Sequence, residues 1–206
     1  MQVHDKASPD MCKILIGNMK FFEFLLLPID SFERIVRYMR RKVLVSKLAA
    51  FGKGSFINRG WAIPRPENIF IGKDVSIGEG CRLSATNSRI IIKDYSVFGP
   101  GVSIHGGNHR TDIVGRTIRS VKESEKRPGI DDADVVVEED VWIGERAIIM
   151  KGVTLGRGCV VGAGSIITKS TLPYSINVGH NRQVGMRFTP DQIKVHEKKI
   201  GLEKVL

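Results

Sequence analysis

No stretch of this 206-residue chain reaches the roughly 18 consecutive apolar positions that a membrane span requires. The most apolar segment, Phe21 to Leu27, is interrupted by Glu23 and closed by Pro28. Asp5, Asp10, Lys13 and Lys20 break up any apolar core that a secretory leader would need, so the expectation is a cytoplasmic protein. Cysteine is scarce. Cys12, Cys81 and Cys159 are odd in number and lack metal-ligand spacing, which supports neither a disulfide framework nor a zinc site. The sequence also lacks a nucleic-acid-binding module, so no nucleic-acid partner is expected. The formal charge of +10 would otherwise suit nucleic acid, an anionic membrane surface or an anionic cofactor, and does not choose among them.

What is present is a period. Counting in sixes from Val137 gives Val137, Ile143, Ile149, Leu155, Val161 and Ile167, all aliphatic. Two residues before each stand Val135, Val141, Ala147, Val153, Cys159 and Ser165, a column of small or slender side chains. Gly144, Gly156 and Gly162 follow the aliphatic positions, where a tight corner would call for unusual backbone angles. Helices repeat at 3.6 residues and strands at 2, so a period of six means short strands separated by corners, coil stacked on coil. Cys81 and Cys159 fall in the small column and are expected to be buried and reduced.

The same frame begins at Phe51, Ile57 and Ile63, resumes at Ile71, Ile77 and Leu83 after a turn at Pro64 to Asn68, then continues at Ile92, Phe98 and Ile104. Ahead of it, Asp30 with Glu33 resembles a capping box, and Phe32, Ile35, Val36, Met39 and Val43 recur at helical spacing. Arg34, Arg37, Arg40, Arg41 and Lys42 fill the other face. This helix is expected to cover the open first coil, with contact to a membrane as the alternative or additional role. His105 to Asp134 carries no frame and reads as an excursion from the coil. Thr189-Pro190 reads as the start of a short basic helix through about Lys199, stopped by Gly201. The expected organisation is therefore an N-terminal segment with an amphipathic helix over 1–50, a coil over 51–178 with its loop at 105–134, and a C-terminal tail and helix over 179–206.

Two of the five histidines, His105 and His109, open the excursion in Ser103-Ile104-His105-Gly106-Gly107-Asn108-His109-Arg110-Thr111-Asp112. An imidazole titrates near neutral pH, so one in a glycine-rich loop on a rigid scaffold can act as a general base. With the hexapeptides, this loop, Val141-Trp142-Ile143-Gly144, Gly162-Ala163-Gly164-Ser165 and Thr168-Lys169, the chain resembles the left-handed β-helix acyltransferases over residues 55 to 180. Among these it is similar to the galactoside, maltose and nodulation O-acetyltransferases, the capsule and colanic-acid O-acetyltransferases, and the xenobiotic acetyltransferases.

The resemblance implies a mainly β fold, a left-handed parallel β-helix, and a homotrimer with active sites between neighbouring coils. It implies acetyl-CoA as cosubstrate, no metal, and a hydroxyl acceptor. His109 matches the family's catalytic histidine. His105, Asn108, Arg110, Asp112 and Trp142 are expected to line the site, with Asp112 either orienting the imidazole or pairing with Arg110. Trp142 alternatively packs at a corner or subunit interface. Gly144, Glu145, Ala163 and Gly164 match positions that meet the pantetheine arm, and Thr168 and Lys169 match the nucleotide end. Gly179-His180-Asn181-Arg182 departs from the usual Gly-x-Pro-Ala turn, leaving Arg182 and Arg187 as candidates for the phosphates. The implied reaction is O-acetylation of a saccharide in glycan or capsule assembly, at the inner face of a membrane if the basic helix binds one. A xenobiotic acceptor is the alternative, and a γ-carbonic-anhydrase-like metalloprotein and a silent scaffold are further readings.

Overall fold

The computed structural model describes residues 31–202. The chain passes over three faces in turn and then starts again, winding a left-handed β-helix whose faces are sheets of parallel strands. The first face stacks Ala50–Phe51, Ile69–Ile71, Ile90–Ile92, Val135–Val137 and Thr154–Leu155. The second stacks Phe56–Ile57, Ser76–Ile77, Val97–Phe98, Trp142–Ile143, Val160–Val161 and Ser175–Val178, and Arg182–Met186 closes it as an antiparallel hairpin. The third stacks Arg82–Ser84, Ser103–His105, Ile148–Ile149 and Ile166–Ile167.

The registers place like on like. Phe51 pairs with Ile71, Ile71 with Ile92, Ile92 with Val137 and Val137 with Leu155 on the first face. Ile57, Ile77, Phe98, Ile143 and Val161 make the second column, and Leu83, Ile104, Ile149 and Ile167 the third. Ile92 and Val137 are neighbours in space although the whole excursion lies between them, so the coil resumes without a slip in frame. The core is these columns plus the small one, in which Ser96, Val102, Val135, Ala147, Cys159 and Ser165 are all fully buried. Cys81 and Cys159 are buried free thiols, and burial pushes the Cys159 thiol up to about 11. Leu83 lies in the middle of this packing with no exposed surface. We expect Leu83→Ala to cost ~2–5 kcal/mol in urea unfolding, the range for truncating a buried leucine that neighbours cannot refill; a loss below ~1 kcal/mol would contradict the packed column.

The corner glycines act differently from the expectation. Gly144, Gly156 and Gly162 are not in the left-handed region; that conformation falls later in each corner, at Gly80, Gly101, Asp140, Arg146, Gly158 and Gly164, one residue before the small column. Gly144 is needed for space instead, since a Cβ there would stand 2.5 Å from the amide nitrogen of Ala163 on the next coil. The glycines mark close approach between corners, and the turn further on is taken by glycine in four of these corners and by Asp140 and Arg146 in the other two.

Residues 31–47 are helical. Asp30, expected to cap this helix, lies outside the described residues, as do Cys12 and His4. The compact unit containing the coil begins at Leu44, which is buried in its core, with Leu48 packed against it. In the unit that ends at Val43, Phe32, Ile35, Met39 and Val43 are between 55% and 67% exposed. The C-terminal helix Pro190–Ile200 begins and ends as read, with Thr189 accepting from the Gln192 amide and Gly201 left-handed at its end. Tyr174 and Arg157 fix it to the coil through Glu197, at 3.0 Å and 3.1 Å.

Candidate functional site

The excursion leaves the third-face strand Ser103–His105 and rejoins at the first-face strand Val135–Val137, so it grows from the edge between those faces. Its first two glycines are steric requirements. A Cβ on Gly106 would lie 2.2 Å from the Ser88 hydroxyl, and one on Gly107 1.8 Å from a carboxylate oxygen of Asp132. Backbone bonds complete the base of the loop: the Gly106 amide donates to Ser84, the Ala133 amide donates to Gly106, and the Asn108 amide donates to Asp131. The next two side chains, Asn108 and His109, therefore emerge at a fixed point and are exposed.

Around that point runs a network of charge. The Asn87 amide group, on the preceding coil, donates to Glu123 and Asp132, both at 3.0 Å. Lys126 bridges the same two carboxylates at 3.0 Å and 3.5 Å, and Asp132 is buried. The Lys126 ammonium holds the Glu123 carboxyl below its ordinary range, with smaller contributions from Asn87 and from the charge of His109, which places Glu123 within the field of that imidazole. Asp112 is engaged elsewhere. It accepts from Arg110 at 2.8 Å and from Arg127 at 2.7 Å, and Arg110 first of all keeps its carboxyl low. Of the two roles read for Asp112, the pairing with Arg110 is the one the geometry contains. Arg110 also donates to the Glu125 carbonyl, and Arg127 forks onto the buried Asp131, so these arginines brace the loop. His105 is half-buried on its strand, where burial first and then the Arg82 charge lower its pKa and favour the neutral ring.

The expected pantetheine positions meet on another edge, between the second and third faces. Gly144 and Glu145 stack under Ala163 and Gly164, with the Gly164 amide donating to the Glu145 carbonyl at 2.7 Å. Gly78 and Gly99 continue the edge below, each with adjacent backbone where a side chain would start. Ala163 and Gly164 are exposed beside the exposed Glu145 side chain, so this edge presents a track of small residues flanked by a carboxylate. Trp142 stands 54% exposed on the outer side of the second face, in register with Val97 below and Val160 above.

Thr168 and Lys169 lie on the same edge as the excursion. Their amides donate to the Asn181 side chain at 2.7 Å and 3.2 Å, and Asn181 returns a bond to the Thr168 hydroxyl. Arg182, the next residue, is exposed beside them. Arg187 is the exception among the phosphate candidates: its guanidinium is tied to Asp140 at 2.7 Å and lies 4.7 Å over the Phe188 ring, on the edge between the first and second faces. It lies on a different edge from Thr168, Lys169 and Arg182, where Asn181 organises the backbone. Sequence reading also missed Asn87, which the stacking of coils brings to the excursion, and Glu123, Lys126 and Asp132, which the excursion's own path folds against it. Among the described residues no three histidine, cysteine, aspartate or glutamate side chains are grouped to hold a metal ion.

Residues 134–169 match the family described as bacterial transferase hexapeptide (six repeats). The chain is 28% identical over 144 residues to a galactoside O-acetyltransferase of Lactococcus lactis, covering 66% of this chain and 65% of that one. It is 35% identical over 116 residues to a chloramphenicol acetyltransferase of Agrobacterium fabrum, covering 51% and 55%. The alignments thus span between about half and two thirds of these relatives. A hexapeptide-repeat acetyltransferase of Vibrio cholerae, solved with acetyl-coenzyme A, shares the fold at a TM-score of 0.63 and 22% identity, covering 74% of this chain and 78% of that one.

Proposed function

Since the chain carries the coil of the hexapeptide-repeat transferases, we propose that it is an acetyl-CoA-dependent O-acetyltransferase acting on a saccharide hydroxyl. The observation that carries this reading is the pair of edges. One offers exposed glycine and alanine along which a long pantetheine arm can lie close to the backbone, and the other holds an exposed imidazole on a braced loop. His109 takes the proton of the acceptor hydroxyl as its oxygen attacks the thioester carbonyl. The tetrahedral intermediate collapses, the C–S bond breaks, and the coenzyme A thiolate recovers the proton from the imidazolium.

On one chain these two edges border opposite sides of the third face. A neighbouring copy that sets its excursion against this glycine track would complete a site, which supports a trimer with sites at its clefts. The galactoside relative supports a sugar acceptor, and the 35% identity to a chloramphenicol acetyltransferase supports a xenobiotic as the second reading. Calorimetric titration of the purified chain with acetyl-CoA tests the class without an acceptor. We expect saturable binding; its absence would overturn the proposal. Thiol release with galactosides, maltose and chloramphenicol then separates the two acceptors.

A further inference from the structure

The helix 31–47 carries an amphipathic pattern of its own. At ~100° per residue, Phe32, Ile35, Met39 and Val43 fall within one arc roughly 80° wide. Their exposures are 67%, 58%, 60% and 55%. Arg40 borders this arc on one side and Lys42 on the other, while Arg34, Arg37 and Arg41 occupy the opposite face. Against these five cations the helix carries one acid, Glu33, which accepts from Arg37 at 2.9 Å. The Lys42 ammonium lies 5.5 Å over the Tyr38 ring, so a cation and an amphipathic aromatic sit together at the margin of the apolar arc. Among the described residues no helix is long and apolar enough to cross a membrane.

We propose that residues 31–43 are a peripheral membrane anchor that lies in the plane of an anionic bilayer surface. An apolar ridge of one phenylalanine, one isoleucine, one methionine and one valine inserts to the level of the acyl boundary. The flanking Arg40 and Lys42 extend along the interface to lipid phosphates, keeping their heads in the polar layer while their stems cover the ridge's sides. The charge decides the occupant. A second copy of the chain would bring five more cations to the same surface, whereas an anionic headgroup layer neutralises them. The length decides the mode, because a helix of this size with polar residues on most of its circumference can lie on a bilayer and cannot span it. The inference is independent of the acyltransferase reading, since no step of it involves acetyl-CoA.

The test is flotation of the full-length chain with phosphatidylcholine vesicles, with and without phosphatidylglycerol. Binding is expected only with the anionic lipid and is expected to weaken as salt is raised. Arg40→Glu with Arg41→Glu should abolish it, each lost cation near such a surface being worth about fivefold in affinity. Ile35→Ser with Met39→Ser should weaken binding at constant charge. Circular dichroism and acetyl-CoA titration on the same samples report whether the variants keep their fold. Equal binding to neutral vesicles, binding that survives both double variants, or a fall in oligomeric mass in the serine variant would each overturn the proposal, the last by assigning the ridge to contacts between copies.

Discussion

His109→Ala is expected to lower kcat for acetyl transfer by about 10²–10⁴, the usual contribution of a positioned general base, while acetyl-CoA affinity and oligomeric mass stay as in the unaltered chain. The expectation rests on how the side chain is presented. Gly106 and Gly107 are pressed against Ser88 and Asp132, so the backbone that follows has little freedom, and the imidazole leaves it into solvent where an acceptor can arrive. Its removal takes away no bond that braces the loop, because that work is done by Arg110, Arg127, Asn87 and Lys126. His105→Ala is the control. That ring is half-buried on a strand, and burial first and then the Arg82 charge favour its neutral form. Full activity in His109→Ala with a large loss in His105→Ala would transfer the role to His105. Unchanged rates in both would remove histidine chemistry from the proposal altogether.

The coil was legible because its periodicity is a direct consequence of stacking. Each sixth residue points inward at a fixed height, so an aliphatic frame in the chain becomes a column in space, and all three columns from Phe51 to Ile167 sit where the frame puts them. The C-terminal helix was legible for a local reason, since Thr189, Pro190 and Gly201 signal its ends without help from the rest of the fold. The site was legible only in part. His109 and the glycine track each belong to a short contiguous motif, but Asn87 and Glu123 come together across a separation of 36 residues set by the excursion's own path. The charge of Arg187 is visible in the sequence and its partner is not; Asp140 lies 47 residues away. Glycine at 144 was read for its backbone freedom, whereas its role depends on Ala163 one coil above.

That vertical pair, Gly144 and Ala163, gives the second large effect. Ala163→Trp should weaken acetyl-CoA binding by at least about tenfold, which corresponds to ~1.4 kcal/mol, while leaving the unfolding midpoint nearly unchanged. Ala163 is exposed on this edge, so an indole there has solvent to enter and no core to disturb, but it fills the track that the pantetheine arm would follow. Gly144→Val should do the reverse. Its first side-chain atom would lie 2.5 Å from the Ala163 nitrogen and 2.9 Å from the Gly162 carbonyl carbon, both of them backbone, so the coils must separate before any ligand is considered. Loss of thermal stability should therefore dominate in Gly144→Val, and loss of ligand affinity in Ala163→Trp. Calorimetry and thermal unfolding on the two variants separate the effects. If Ala163→Trp binds acetyl-CoA as well as the unaltered chain does, the arm does not run along this edge, and the glycines at 78, 99, 144 and 162 are there for the packing of corners alone.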